Sequence, residues 1–95
     1  MQDWRIDLCR YNGETHLDIT VRERAEPLLR GMLTYCLASG LITSHTKPLK
    51  IVDRLGDFGY LNDLWYTTRL AVKSVTKDVG NLIYELSEMC ETSVP

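Results

Sequence analysis

The stretch "YTTRLAVKSVTKD", residues 66–78, decides how the second half of this chain folds. Its apolar positions continue a series formed by Leu61, Leu64, Trp65, Thr68, Val72, Val75, Val79, Leu82, Ile83, Leu86 and Cys90. Spacings of three and four residues make that series one stripe of an amphipathic helix. The pattern predicts a helical segment over about 61–91. Thr76 as a cap, Asp78 in the turn after it and the low propensity of Gly80 place a break near 76–80.

A helix here has a consequence for charge. Asn62, Tyr66, Arg69, Lys73 and Lys77 fall within an arc of about 80° on its polar side, with three like charges repelling one another. Lys47, Lys50 and Arg54 are candidate extensions of this basic surface. Such a row is most often a solvated helix face. It also suits an acidic protein partner or the phosphates of a nucleic acid or nucleotide, with Tyr66 available for stacking. Glu85, Glu88 and Glu91 follow on a broadly similar side, so an antiparallel second copy would match basic half to acidic half.

The N-terminal third has a sharper local signal. Asn12-Gly13 is the dipeptide that best accepts the two positive φ values of a two-residue hairpin turn. Placed at the tip, it sets Tyr11 opposite Glu14, Cys9 opposite His16, Leu8 opposite Leu17, Ile6 opposite Ile19 and Trp4 opposite Val21. Non-polar pairs then share one face while Arg5, Asp7 and Asp18 share the other, which supports a hairpin over about 4–21. A lone hairpin is marginal in water, so its apolar face needs a cover.

"PLLRGMLTYCLASG" supplies one. Leu28, Leu29, Met32, Leu33, Cys36 and Leu37 recur at helical spacing, Pro27 suits the start and Gly40 the stop, giving a helix over about 27–39. Thr20 and Glu23 have capping-box spacing, but a helix begun there carries Pro27 inside it, at a cost of about 3 kcal/mol. Residues 41–47 read as a loop. "PLKIVDRLG" fits either a third strand, with Leu49, Ile51 and Leu55 on one face, or a short helix over about 48–55 closed by Gly56; the glycine favours the helix. The expected fold is α+β, an N-terminal two-stranded hairpin packed against three to four helices in one domain.

Composition sets limits on function. The chain has 95 residues, 44% hydrophobic and 25% charged, as a globular domain does. Its net charge is -2 and its pI about 5.6, whereas dedicated nucleic-acid binders usually exceed about 9. The start, "MQDWR", lacks the basic and apolar runs of an export signal, and no stretch approaches the roughly 18 apolar residues of a membrane span. Cys9, Cys36 and Cys90 are odd in number and far apart, which fits a reduced, cytoplasmic setting.

Motifs for chemistry are few. The hairpin register opposes Cys9 and His16 between Asp7 and Asp18, a minimal set for thiolate catalysis or for a metal, yet a two-stranded face offers no oxyanion donors and the acids favour imidazolium over an activated thiol. "DFG" at 57–59 is the triplet that holds magnesium in protein kinases, but no glycine-rich phosphate loop or catalytic loop accompanies it. A helix-turn-helix centred on Gly40 puts Thr46 where an apolar residue is required. His45 has no acid neighbour. The sequence therefore points to a small non-enzymatic docking protein, of the inhibitor, adaptor or assembly-factor kind, without a cofactor or metal. Its expected partner is a protein, including a second copy through helical or hairpin-edge contacts; direct nucleic-acid binding is the alternative.

Overall fold

A computed structural model describes residues 3–45, 49–53, 63–73 and 77–93. Strand β1 (Trp4–Tyr11) and strand β2 (Glu14–Arg22) form a hairpin about Asn12-Gly13. Both turn residues have positive φ, 53° and 79°, as a type I′ turn requires. The register runs from Trp4 opposite Val21 to Tyr11 opposite Glu14 without a slip, so the turn and the hydrophobic alternation specify the same pairing.

After β2 a single 3-10 turn (Glu23–Ala25) leads into helix α1 (Glu26–Ala38). Pro27 lies in the first turn of α1, where its missing N–H leaves no hydrogen bond unmade. Ser39 closes the helix through its amide and hydroxyl on the Cys36 carbonyl, and Gly40, with φ of 77°, turns the chain away. Strand β3 (Ile42–His45) and strand β4 (Leu49–Asp53) come next, then strand β5 (Asp63–Val72) and helix α2 (Lys77–Ser93).

The strands make one antiparallel sheet in four rows. Its order is β1-β2-β5, with β3 and β4 pairing successively along the outer side of β5. The helices cover one face. Leu17, Ile19 and Val21 of β2 and Leu70 of β5 are buried there against Leu29, Met32 and Cys36 of α1 and Leu82, Leu86 and Cys90 of α2. Burying each such large side chain contributes about 1.5–3 kcal/mol, which is what holds both helices to the sheet.

Four expectations need correction. Residues 42–45, within the expected loop over 41–47, form strand β3 on the outer side of β5. The expected three to four helices are two among the described residues, and the two-stranded hairpin is part of a wider sheet, although the class remains α+β. Residues 49–53 form a strand and not a short helix. The helix expected from residue 61 gives way to β5 over 63–72, and the helical period applies only from Lys77 onward.

The physical reason lies in a double periodicity. Leu64, Tyr66, Thr68, Leu70 and Val72 alternate as a strand requires, while Leu64, Trp65, Thr68 and Val72 also satisfy helical spacing. Half of the segment "DLWYTTRLAV" is aromatic or β-branched, residues that pack best on a pleated surface, and β2 offers a complementary edge. Tertiary pairing decides between the two readings. Gly56 and the "DFG" triplet lie outside the described residues.

Candidate functional site

A strand separates what a helix would have gathered. Tyr66 faces the helices and packs on the core, whereas Arg69 emerges on the opposite, helix-free face of the sheet. Lys73 follows the end of β5, and Lys77 begins α2. Lys50 lies in β4 opposite Tyr66 in the register. Asn62, Lys47 and Arg54 are outside the described residues. The basic row is therefore not one surface, and the acid-to-base match once expected between antiparallel helices loses its geometry.

The helix-free face carries a different constellation. Asp18, on β2, pairs with Arg69 on β5 and stands opposite Asp7 on β1. Arg69 donates from Nε to Asp18 Oδ1 and from Nη2 to Oδ2, both at 2.9 Å, a bidentate fork. Its guanidinium stacks on Tyr11, 4.6 Å from Cζ to ring centroid. The His16 ring meets the Tyr11 ring in a T-shaped contact, with centroids 6.2 Å apart and planes at 78°. Tyr11 thus touches both Arg69 and His16 while remaining 54% exposed.

Charge on this face is largely neutralised locally. Arg5 pairs with Asp7 at 2.9 Å, and Arg22 and Arg24 both engage Asp3, at 3.1 and 2.6 Å. Arg22 also lies over the Trp65 ring, 5.1 Å from its centroid, covering an indole that is 2% exposed on the face away from the helices. Hydrogen bonds from Arg69 and its positive charge hold the Asp18 carboxyl below its ordinary range, and the same pairing pushes the Arg69 guanidinium up.

Cys9 and His16 do stand opposite each other, as the hairpin register requires. The Cys9 thiol, however, donates to Asp18 Oδ2 across 3.6 Å. Burial first, and then the Asp18 charge and hydrogen bond, raise its pKa above 9.0, so the thiol is protonated at neutral pH. His16 Nδ1 meets the Glu14 carbonyl oxygen at 3.2 Å and its Nε2 stands 3.9 Å from Glu14 Oε2, so the ring is engaged with β2 and not with sulfur. Among the described residues no three His, Cys, Asp or Glu side chains gather as a metal-binding group. Both oxygens of Asp18 are already committed to Arg69.

Beside the hairpin tip an open cleft of about 410 Å³ is lined by Gly13, Glu14, Thr15, Thr43 and Lys73, among others. Glu14 is the cross-strand partner of Tyr11, so the cleft adjoins the Tyr11 surface. Among the described residues of the expected basic row, Lys73 lines it. Tyr11 was not among the candidates drawn from sequence, and Asp18 entered only as a flank of the Cys9–His16 pair; the β2–β5 pairing is what brings Arg69 to them. No helix among the described residues is long and apolar enough to cross a membrane. No family model, curated protein or solved structure matches this chain.

Proposed function

We propose that the chain is a small non-enzymatic docking module that binds another protein through the helix-free face of its sheet. The observation that carries this reading is Tyr11, exposed yet in contact with both Arg69 and His16, with Arg69 itself locked by Asp18. Tyrosine and arginine are the residue types that most often anchor protein interfaces, and a side chain already fixed before contact loses little entropy on binding. The adjoining cleft, with Glu14 and Lys73 on its walls, offers both charge signs to an incoming side chain.

A protein partner is favoured over nucleic acid because Arg69 is neutralised within the sheet and Tyr66 packs on the core from the opposite face. Cys36 and Cys90, buried and unpaired, suit a reduced compartment such as the cytoplasm. A photo-crosslinking phenylalanine analogue at position 11, compared with the same group at the exposed helix positions Tyr35 and Tyr84, tests the reading. A protein captured from position 11 alone, whose affinity falls roughly 30-fold in Tyr11→Ala with the fold intact, is the expected result. Equal capture from all three positions, or undiminished binding by Tyr11→Ala, would overturn it.

A further inference from the structure

The two edges of the sheet are built differently. The outer side of β5 is occupied by two short segments, β3 and β4, of four and five residues, with a register shift between Ile42 and Ser44. Short, bulged edges resist further pairing. Strand β1 is the opposite edge: eight residues, no proline, no register shift, and β2 as its strand partner among the described residues.

Its hydrogen-bonding phase is fixed by one contact. The Arg22 amide donates to the Asp3 carbonyl at 2.8 Å, so the odd-numbered residues of β1 exchange hydrogen bonds with β2. Trp4, Ile6, Leu8 and Arg10 therefore turn their N–H and C=O groups outward. Trp4 and Ile6 pack on the core from the helix-covered face, and Leu8, next in that row, is 43% exposed.

We propose that this edge pairs with β1 of a second copy, antiparallel, about a two-fold axis through Ile6. Pairing must keep each face continuous, which restricts the centre of symmetry to a single residue. A centre at Asp7 opposes Asp7 to itself, and a centre at Arg5 opposes Arg5 to itself. A centre at Leu8 sets Ile6 against Arg10. A centre at Trp4 sets Arg5 against Asp3, whose carboxylate Arg22 and Arg24 already engage. The centre at Ile6 matches the strand to itself: Ile6 meets Ile6, Trp4 meets Leu8, and Arg5 meets Asp7 twice.

The phase adds to this match. Outward-facing Trp4, Ile6 and Leu8 form the hydrogen-bonded pairs, so Arg5 and Asp7 of the two copies fall in non-hydrogen-bonded pairs, where side chains approach closest, with Cα atoms about 4.5 Å apart. The Arg5–Asp7 contact that each chain makes within itself, two in the pair, is exchanged for two between chains. The axis is perpendicular to the sheet, so both helix-free faces point the same way and two Tyr11 sites are presented together. Such a pair gains avidity for a repeated or dimeric target.

Charge exchange tests the register. The wild-type chain is expected to show a concentration-dependent dimer by sedimentation velocity below about 1 mM. Arg5→Asp alone sets acid against acid, Asp7→Arg alone sets base against base, and each is expected to weaken self-association at least tenfold. An equimolar mixture of the two variants restores both pairs and is expected to form a heterodimer, which repair within one chain cannot produce. Circular dichroism checks that each variant is folded; should either not be, Leu8→Lys is expected to abolish the dimer with the fold retained. A wild-type chain monomeric to about 1 mM overturns the proposal, whether or not its edge captures a strand from a different protein. So does a dimer indifferent to these substitutions, or a mixture that stays monomeric. Loss of partner binding in Tyr11→Ala is read separately and leaves this outcome unchanged.

Discussion

The Asp18 carboxylate receives both Nε and Nη2 of Arg69, each at 2.9 Å, across a separation of 51 residues. This fork joins the N-terminal hairpin to the strand that completes the sheet, and it fixes the arginine on which Tyr11 rests. Asp18 is largely shielded, whereas Arg69 remains substantially open to solvent, so salt screens part of the attraction.

The pairing predicts a pH dependence. Because the folded pKa of Asp18 lies below its ordinary value of 3.8, the folded state binds fewer protons and is stabilised above that value. The contribution is lost as pH falls through the lower, folded pKa. Urea unfolding of the wild type across the acid range is expected to show stability declining below about pH 4, with a shallower decline in Asp18→Asn, which is already less stable at pH 7. Parallel acid limbs in the two proteins would show that the fork has no energetic weight.

Thr68 gives a second prediction, with the opposite sign. It is fully buried opposite Ile19 on the helix-covered face, and its Oγ1 has no hydrogen-bond partner among the described residues. Burying an unsatisfied hydroxyl carries a desolvation cost, and valine has nearly the same shape. Thr68→Val is expected to raise stability by about 1 kcal/mol, read as a higher urea midpoint at unchanged slope. Thr20→Val is the contrast. Its hydroxyl pairs with that of Thr67 at 2.9 Å, and its loss is expected to lower stability by about 1 kcal/mol.

These two threonines show where sequence reasoning stopped. The Asn12-Gly13 turn sets β1 against β2 through local geometry, and Leu29, Met32 and Cys36 mark the buried side of α1 within a few turns of chain. Thr68 was legible only as a member of a helical stripe, because its true neighbour, Ile19, belongs to a strand far back in the sequence. The same non-local pairing hid the candidate site. Cys9, His16 and Asp18 could be placed together from the hairpin, but Arg69 was assigned to a row with Lys73 and Lys77 until β2 drew it to Asp18. An available signal was the strict alternation of Leu64, Tyr66, Thr68, Leu70 and Val72 in a segment rich in strand-forming residues.

The last prediction concerns the three thiols, which differ in both access and ionisation. Cys36 and Cys90 are fully buried, and burial pushes both up to about 11; Cys90 also lies 3.4 Å from the Met32 sulfur. Cys9 is partly exposed, yet burial of its sulfur and the adjacent Asp18 keep it protonated. In native protein at pH 8, a disulfide reagent is therefore expected to label only Cys9, and more slowly than an unperturbed thiol, because the thiolate is the reacting form. Asp18→Asn removes the negative charge and leaves Arg69 nearby, so the Cys9 thiolate fraction rises and labelling is expected to accelerate several-fold, while Cys36 and Cys90 stay protected. Unchanged Cys9 reactivity in that variant would mean that access, and not the Asp18 charge, controls the thiol; simultaneous labelling of all three would instead report loss of the core packing between α1 and α2.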